Sequence, residues 1–386
     1  MKGGGGRAGL AQWVEVSRKA LTHNLAEFRR RVGRDRKLLA VVKANAYGHG
    51  ILEVSRIAIG AGADWLGVNS LEEGIELRRA GVRTPILVLG YVPLGRLGDA
   101  VARGLRLTVY NKASVDGLAA ACRRLKKKAR VHVKVEPGTN RQGVLEGELP
   151  AFARSIQRRP GLVLEGLSSH FANIEDTTDH SFPQRQLAAF ERSVRGLEKA
   201  GIEVPITHMS CTAATILFPE TYFDMVRVGI GLYGLWPSKE TYLSCALDKR
   251  EPLTLEPVLT WKARIAQVKR IAKGGAVGYG CTFRATRRTT LAVIPVGYYD
   301  GYDRGLSNTA HVLVRGQRAP LRGRVAMNFS TADVTDIPGV GIEDEVVLLG
   351  ADGRERITAE QLAALAGTIS HEIVARINPL VPRIVV

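Results

Sequence analysis

The sequence of 386 residues has few cysteines, a deficit of acidic residues and no long apolar run. Its cysteines, Cys122, Cys211, Cys245 and Cys281, show no CxxC spacing, so neither a zinc site nor a disulfide framework is predicted. No stretch approaches the ~18 consecutive apolar residues that a membrane-spanning helix needs. No apolar stretch of the signal-peptide type follows the basic N-terminus. We therefore predict a cytoplasmic protein without a membrane segment and without a metal ion.

Acidic residues are scarce relative to basic ones, since 37 Asp and Glu stand against 55 Lys and Arg and give a net charge of +18. Such an excess can indicate a nucleic-acid partner. The basic residues are spread along the chain, however, and the densest run, at 123–130, follows a predicted helix, where cations favour the helix dipole. Aromatic residues that would stack on bases do not interleave with it. We interpret the run as a solvated helix end and predict no nucleic-acid partner.

The first 235 or so residues alternate short apolar runs with amphipathic stretches of helical length. A hydrophobic content of 45% excludes a disordered chain. Continuous apolar strands, each followed by a helix, predict a parallel sheet covered by helices, and eight such units predict a closed, TIM-like (β/α)8 barrel. The predicted strands are 38–42, 65–68, 86–89, 105–110, 131–135, 163–168, 206–209 and 224–228, and the clearest helices are 70–80, 149–158 and 182–200.

From about Leu255 the pattern changes to strand-like segments separated by Gly and Asp turns. One late helix is indicated by Thr358, which a glutamine follows three residues later in a capping-box pattern. This part of the chain is therefore predicted to be a second, mostly antiparallel β domain. Its predicted strands are 261–271, 291–296, 311–314, 321–325, 331–334 and 345–349.

These patterns divide the chain into two predicted domains. We assign 12–240 to the barrel and 241–386 to the β domain, with residues 1–16 as a candidate addition to the β domain. A cluster of prolines marks a predicted linker over 236–256.

The end of the first predicted barrel strand carries a candidate reactive residue, Lys43. Active sites of such barrels lie at the C-terminal ends of the strands. A lysine directly after a buried strand is partly desolvated, which lowers its pKa and provides the neutral amine that Schiff-base chemistry requires. Taken alone, a lysine whose charged end stays in water is the more frequent case. Tyr47, four residues later, is a candidate ligand of a phosphate or carboxylate.

The segment AVVKANAYGHG at residues 40–50 closely resembles the pyridoxal-phosphate lysine signature of the alanine racemase family. The resemblance covers nearly the whole chain, and both predicted domains fit that family's barrel and β domain. It implies pyridoxal 5'-phosphate as cofactor, with Lys43 attached to it and Tyr47 holding its phosphate.

Two further barrel motifs match the family. The motif at 131–143 implies that Arg141 contacts the cofactor's phenolic oxygen near the substrate carboxylate, and that Lys134 is a carbamylation candidate that orients Arg141. The motif at 168–172 implies that His170 packs on the pyridine ring. Without the resemblance, a surface arginine and a structural histidine are the more frequent cases.

The last two predicted barrel strands also end in matching motifs. The resemblance implies that Arg227 faces the pyridine nitrogen and keeps it unprotonated, so that the ring is a weaker electron sink and side reactions are suppressed. It further implies a phosphate site in which Thr212 takes the place of the family's serine, at a helix N-terminus that favours phosphate. Gly229 and Ile230 supply backbone amides to that site.

The β domain carries the remaining matches. The segment 277–280 resembles the one whose tyrosine enters the active site of the partner subunit. It implies a two-base mechanism in which Lys43 acts on one face of the substrate Cα and the partner's Tyr279 acts on the other, so that a homodimer is required. Met327 matches the residue whose amide binds the substrate carboxylate, and Tyr298 matches a residue of the substrate entrance. Without the resemblance, Tyr279 reads as an aromatic residue at a strand edge.

Three positions depart from the family pattern. Asn328 stands in place of an aspartate, His371 in place of a tyrosine beside the phosphate, and Val385 in place of the tyrosine of the C-terminal motif. His371 remains a candidate phosphate ligand, but its smaller side chain leaves the substrate pocket wider. The catalytic pair is intact, so these departures bear on exclusive use of alanine and not on racemisation.

The function predicted from the sequence is pyridoxal-phosphate-dependent racemisation of alanine, which supplies D-alanine for peptidoglycan. Three alternatives stay open: a racemase of broader specificity that accepts serine or basic amino acids, a non-catalytic pyridoxal-phosphate carrier, and a decarboxylase. The segments around Tyr279 and Met327 argue against the carrier. The second domain shows no cysteine and aspartate constellation of the kind that the decarboxylase needs.

Overall fold

The structure, a computed structural model, describes residues 9–247 and 253–386. The basic N-terminal stretch and part of the predicted linker, at 248–252, lie outside the described residues. The chain forms two compact units, which are described in turn. Of the described residues, the barrel unit comprises 21–44, 54–247 and 253–256, and the β unit comprises those up to Ala20 together with 45–53 and 257–386. The predicted domain limits stay predictions.

Eight parallel strands form the barrel unit, which confirms the predicted fold. Each predicted strand overlaps an observed one, and their ends differ by at most two residues, because most of these strands are short apolar runs buried on both faces. The strands are β2 (Lys37–Val41), β3 (Trp65–Val68), β4 (Ile86–Val88), β5 (Arg106–Val109), β6 (Ala129–Lys134), β7 (Leu162–Ser168), β8 (Ile206–His208) and β9 (Met225–Val228).

Strand pairing nearly closes this sheet into a ring. The strands pair in the order β8-β7-β6-β5-β4-β3-β2-β9, so the first strand of the barrel pairs with the last. Across the remaining gap, the Asp224 amide donates to the Thr207 carbonyl oxygen at 3.1 Å, and the Arg227 amide donates to that of Ser210 at 3.2 Å. The C-terminal ends of all eight strands therefore lie on one rim, where the sequence analysis places the reactive residues.

Helices follow most barrel strands, and some of them begin at residues with capping side chains. The Ser70 hydroxyl accepts the Glu73 amide at the start of α4 (Leu71–Arg79), which forms a capping box, and Asn111 caps α6 (Lys112–Leu125). The last turn of α6 carries exposed Arg123 and Arg124 of the basic run, as predicted. The helices along the chain are α1 (Arg18–Val32), α2 (Lys43–Tyr47), α3 (Ile51–Gly60), α4 (Leu71–Arg79), α5 (Leu97–Ala102), α6 (Lys112–Leu125), α7 (Leu149–Gln157), α8 (Ser181–Lys199), α9 (Thr212–Leu217), α10 (Lys239–Leu247), α11 (Ala359–Ala366) and α12 (Ser370–Ala375).

Two features of these helices bear on the predictions. The segment expected to be a linker contains α10. Within the described parts of the chain, none of the helices combines the length and the apolar character needed to span a membrane.

The β unit is mostly antiparallel, as predicted. Its strands are β1 (Gln12–Val16), β10 (Leu259–Arg264), β11 (Gln267–Ile271), β12 (Ala276–Val277), β13 (Phe283–Arg284), β14 (Thr289–Ile294), β15 (His311–Val314), β16 (Gln317–Pro320), β17 (Ser330–Asp333), β18 (Glu345–Asp352), β19 (Glu355–Ile357) and β20 (Arg383–Val385). One sheet has the order β16-β15-β18-β10-β1-β20, with β19 on β18. A second sheet has the order β11-β14-β17, and β12 pairs with β13.

Three predictions for this unit were wrong. The single strand over 261–271 is two strands in different sheets, because the chain crosses between the sheets at Ile265 and Ala266. The segment 321–325 makes only an isolated bridge, because Gly323 has a φ of +78° and lies against the Val277 carbonyl. Helix α12 was missed, because it starts after Ile369, which provides no side-chain cap.

The predicted start of α11 is confirmed by its hydrogen bonds. The Thr358 hydroxyl accepts the Gln361 amide at 3.2 Å, and the Gln361 side-chain oxygen accepts the Thr358 amide at 3.1 Å.

We expect Thr358→Ala to lower the free energy of unfolding by about 1 kcal/mol, because one amide of the first turn loses its acceptor. Denaturant titration of the full chain measures this, with Thr358→Ser as the control that keeps the hydroxyl. Equal midpoints for the alanine variant and the unmodified protein would contradict it.

Candidate active site

Lys43 lies at the rim of the barrel, and the turn that it begins is left-handed. It follows strand β2 after Val42, and the φ angles from Ala44 to Tyr47 are between 52° and 54°. For L-amino acids this handedness costs roughly 1–2 kcal/mol per residue. Such backbone strain persists only where surrounding contacts determine the conformation, and it is concentrated at functional sites.

Side-chain oxygens and one close backbone contact hold this turn. The Ala44 amide donates to the Glu73 carboxylate at 2.6 Å, and the Asn45 side-chain oxygen accepts the Ile51 amide at 2.9 Å. At Gly48, a Cβ would lie 1.8 Å from the Val374 carbonyl oxygen, so only glycine fits there. The turn thereby directs the chain away from β2 at Lys43.

The amine of Lys43 lies in an environment that disfavours its charge. Burial lowers the pKa of Lys43, and the positive charge of Arg141 lowers it further, while the carboxylates of Glu73 and Glu175 act in the opposite direction. A lysine in this environment is neutral more often than one in water, and a neutral amine is the nucleophilic form.

Lys134 and Arg141 add two cations to the same rim. Lys134 is the last residue of β6 and is buried, and burial together with Arg141 and Arg227 lowers its pKa to about 8. Arg141 lies in the loop after β6, where the Glu136 carboxylate accepts its backbone amide at 3.2 Å and that of Gly138 at 2.7 Å. The loop is therefore built around Glu136, and the Arg141 side chain is exposed.

Arg227 on β9 is buried, and its guanidinium is held from several sides. Nη2 donates to the carbonyl oxygens of Ser169 at 2.7 Å and Met209 at 3.0 Å, and Nη1 donates to Nδ1 of His208 at 2.7 Å. His170 Nδ1 lies 3.3 Å from Nη2. Burial lowers the pKa of Arg227 to about 10, so the guanidinium stays charged at neutral pH. Burial and this charge hold the pKa of His170 well below its usual value, so its imidazole is neutral.

The ends of β8 and β9 form a hydrogen-bonded cradle of small groups. Thr212 is the first residue of α9, and its hydroxyl accepts the Gly229 amide at 2.9 Å. Ile230 begins a 3-10 turn directly after Gly229. A Cβ at Gly231 would lie 2.7 Å from Thr212 Cγ2 and 2.5 Å from the Phe28 ring, so this approach requires glycine.

The side chains and backbone amides at the barrel rim fit pyridoxal 5'-phosphate. The rim offers an amine of lowered pKa for the cofactor carbonyl, a fixed guanidinium as a donor for a ring nitrogen, and a hydroxyl beside backbone amides for the phosphate. The guanidinium charges of Arg141 and Arg227 suit groups of negative charge such as the cofactor phosphate and a substrate carboxylate.

The structure brings together two predicted phosphate ligands in the β unit. Tyr47 ends the left-handed turn, and His371 lies in α12. Their ring centroids are 6.2 Å apart, and both side chains are half-buried.

Tyr279 lies in a turn between β12 and β13, with glycines of positive φ on both sides, Gly278 at +70° and Gly280 at +74°. Its side chain is 76% exposed. Two exposed residues occupy neighbouring loops, Met327 at 55% and Tyr298 at 41%. The Tyr298 amide donates to the Ala326 carbonyl oxygen at 3.0 Å, so the structure brings these two loops together.

Two residues at the barrel rim were not identified from the sequence. Burial raises the pKa of Glu175 and that of Cys211, the latter to about 12, and Cys211 Sγ lies 3.9 Å from Glu175 Oε1. The thiol is therefore protonated and unreactive at neutral pH. The only sequence signal for Glu175 was its place in the loop that follows His170. The described residues contain no cluster of three or more side chains suited to a metal ion.

Comparison with known proteins identifies the family. A model of the alanine racemase N-terminal domain matches residues 16–237, and a model of the C-terminal domain matches 258–385. An alanine racemase from Symbiobacterium thermophilum is 43% identical over 371 residues, which are 96% of each chain. An alanine racemase from Streptomyces lavendulae, a D-cycloserine producer, is 34% identical with a TM-score of 0.90 over 97% of each chain.

A histidine racemase from Leuconostoc mesenteroides is 30% identical, with a TM-score of 0.89 over 98% of this chain and 99% of that one. Racemases of different substrates therefore share this architecture. Both family models match, and together they span nearly all of the sequence. The chain belongs to the alanine racemase family.

Proposed function

We propose that the protein is a cytoplasmic, pyridoxal-phosphate-dependent racemase that interconverts L- and D-alanine and supplies D-alanine for peptidoglycan. The observation that carries the proposal is the amine of Lys43, half-buried and of lowered pKa, at the end of a barrel strand. The names of the relatives support alanine as the substrate.

The proposed cofactor supplies, when bound, an electron-accepting ring that stabilises the charge left when Cα loses its proton. Lys43 would hold the cofactor and move the proton on one face of Cα. Arg227 would donate to the pyridine nitrogen without giving up its own proton, since its pKa of about 10 keeps it charged, and would thereby suppress competing reactions by leaving that nitrogen unprotonated. On the family resemblance, the phosphate would be held by Tyr47, Thr212, Gly229, Ile230 and His371.

Lys134 is proposed to become a carbamate. A pKa of about 8 leaves part of the amine neutral near neutral pH. The neutral nitrogen attacks carbon dioxide, a C–N bond forms and one proton is released. The carbamate replaces a cation by an anion beside Arg141 and Arg227, which removes repulsion between like charges and orients Arg141 toward the phenolic oxygen and the substrate carboxylate.

The second face of Cα requires a second base, which we assign to Tyr279 of a partner subunit in a homodimer. Exposed aromatic and apolar side chains gather in the loops of this part of the β unit, and such a surface is typical of an interface. They are Tyr279, Tyr298, Tyr299, Met327 and Phe329. Within the dimer, Met327 binds the substrate carboxylate and Tyr298 lines the entrance.

A second candidate function is racemisation of larger amino acids. It is favoured by His371 and Asn328, where the family resemblance has tyrosine and aspartate, and by the structural similarity to a histidine racemase. The smaller side chain of His371 leaves space, and Asn328 lacks a negative charge.

The role of Lys43 is tested by Lys43→Ala. We expect the visible absorption of the cofactor-loaded protein and the formation of D-alanine to be lost, because no amine remains for the cofactor carbonyl. Lys37→Ala is the matched control, because Lys37 lies exposed at the opposite end of the same strand. Absorbance spectra and chiral chromatography measure both variants. Full colour and turnover in Lys43→Ala would refute the assignment.

The role of Tyr279 is tested by Tyr279→Phe. We expect cofactor absorption to persist while kcat/KM falls by roughly 10²–10⁴-fold in both directions, because each conversion needs both bases and the two enantiomers are equal in free energy. Exchange of the Cα proton with deuterium from the solvent is expected to be lost chiefly from one enantiomer, because a general base acts on one face only. Rates are measured separately from L- and D-alanine. The control is Tyr242→Phe, which changes an exposed tyrosine of α10. Equal, unimpaired rates in both directions would remove Tyr279 as a base.

Substrate breadth is tested with L-alanine, L-serine, L-lysine and L-arginine in separate incubations. We expect D-alanine as the main product by chiral chromatography, and we expect His371→Tyr to reduce any conversion of larger substrates by narrowing the pocket. Comparable D-serine or basic D-amino acids would assign the protein to the broad-specificity class. Absence of every D-product with cofactor bound would favour the carrier or the decarboxylase.

A further inference from the structure

Arg227 begins a chain of hydrogen bonds that runs through three further side chains inside the barrel and leads away from the candidate active site. Nη1 of Arg227 donates to Nδ1 of His208 at 2.7 Å. Nε2 of His208 lies 2.8 Å from Nδ1 of His132, and Nε2 of His132 lies 3.3 Å from Oε2 of Glu165. Both histidines are fully buried, and Glu165 is buried as well. We call Arg227, His208, His132 and Glu165 the barrel relay.

The two ends of the barrel relay determine where its protons lie. A guanidinium only donates, so Nδ1 of His208 accepts and its proton is on Nε2. That proton is donated to Nδ1 of His132, whose own proton is therefore on Nε2 and points to Glu165. Burial lowers the pKa of both imidazoles, and for His208 the charge of Arg227 lowers it further, so both are neutral. All donors in the relay thus point from Arg227 toward Glu165.

Glu165 is well suited to be the last acceptor. Its Oε2 accepts Nε of Arg106 at 2.9 Å, and its Oε1 accepts Nη1 of Arg130 at 3.1 Å. Burial by itself raises the pKa of Glu165, but the hydrogen bond from His132 and the charge of Arg106 outweigh it and lower the pKa below its usual value. Glu165 is therefore an anion at neutral pH, and an anion only accepts.

The relay runs between the two ends of the barrel. Arg106 is the first residue of β5, and Arg130 is the second residue of β6. Glu165 is therefore anchored at the N-terminal ends of these strands. Arg227 reaches the carbonyl groups of Ser169 and Met209, which follow the C-terminal ends of β7 and β8. Glu165 thus contacts Arg227 only through the two histidines.

The imidazole of His132 is closely packed inside the barrel. A Cβ at Gly166 would lie 2.2 Å from Nδ1 of His132, so this position of β7 must be glycine. On the other side, the Trp65 ring meets the imidazole edge to face with centroids 5.6 Å apart, and Arg106 stacks on Trp65 at 4.6 Å. The imidazole is therefore held in the plane in which it joins His208 to Glu165.

We propose that Glu165 and His132 are positioning residues for Arg227. The Glu165 carboxylate, at the far end of the barrel, holds the protons of both histidines on Nε2. Nδ1 of His208 therefore accepts from Arg227 and orients its guanidinium toward the cofactor's ring nitrogen. The orienting role rests on the proposed function, whereas the proton arrangement does not. Without Glu165, the buried N–H of His132 loses its acceptor, or the relay reverses and puts an N–H of His208 against Arg227. Either result weakens the hydrogen bond to His208 that orients the guanidinium of Arg227.

The proton arrangement is tested by ¹⁵N NMR of the histidine rings in the cofactor-loaded protein, with signals assigned by single substitution of His132 and His208. We expect both rings to be neutral with the proton on Nε2. An imidazolium, or a proton on Nδ1 of either ring, would overturn the proposal. This result does not depend on which substrate the protein uses, so a failure of the racemase assignment, seen as absence of D-alanine from the unmodified protein, is distinguishable from a failure of the relay.

The positioning role is tested by Glu165→Leu, with Glu165→Gln as the conservative variant that keeps an acceptor oxygen. We expect Glu165→Leu to shift the Nδ1 signal of His208 and to lower kcat by roughly 10–100-fold with little change in KM, because the guanidinium is displaced without loss of substrate contacts. Glu165→Gln is expected to retain more of kcat and to give a smaller shift. If Glu165→Leu does not fold, the glutamine variant and the NMR spectrum of the unmodified protein decide.

The matched control is Arg130→Gln, which removes a half-exposed partner of the same carboxylate but leaves the hydrogen bond from His132 to Glu165. We expect its kcat and its His208 signal to resemble those of the unmodified protein. If both Glu165 variants leave the His208 signal and kcat unchanged, or if Arg130→Gln changes them as much as Glu165→Leu does, the proposal is overturned.

Discussion

The burial of one guanidinium determines much of the polar interior of this barrel. A charge that has left water requires hydrogen-bond acceptors on all its sides, and Arg227 finds them in carbonyl groups at the ends of β7 and β8 and in His208. Burial, and in addition the charge of Arg227, lower the pKa of His170, of His208 and of Lys134, so that the two imidazoles are neutral and the protonated amine of Lys134 is disfavoured. Arg227 thus holds the ends of neighbouring strands through its hydrogen bonds and, through its charge, lowers the pKa values of groups at the rim.

A second constraint is the left-handed turn after Lys43. Four consecutive residues adopt a backbone that L-amino acids avoid, and the compensating contacts come from Glu73, from Asn45 and from the close approach of Gly48 to Val374. Rigid placement of a reactive amine is a reason for a fold to retain such strain. In the turn that carries the exposed Tyr279, by contrast, glycines occupy the flanking positions of positive φ, a conformation that glycine adopts readily.

Local patterns were sufficient for most of the fold. Continuous apolar runs located all eight barrel strands, and the capping pattern at Thr358 located α11, because both signals depend on neighbours in the sequence. Two of the three wrong predictions lie where a distant part of the chain decides: at Ile265, where the chain changes sheets, and at Gly323, which lies against Val277. Motif matching named Lys43, Arg141, His170 and Arg227, but nothing in the spacing of His132, Glu165 and His208 indicated that they touch.

The sequence by itself therefore determined the order of the elements, the family and the identity of the residues at the strand ends, since these are properties of short segments. Only the tertiary structure decided which way the turn after Lys43 winds, how far burial lowers the pKa of Lys43 and Lys134, and that His132, Glu165 and His208 form one hydrogen-bonded chain with Arg227. The physical reason is that backbone strain, desolvation and proton placement depend on groups that are distant in the chain. His132 and His208, for example, are 76 residues apart and become neighbours when the barrel forms.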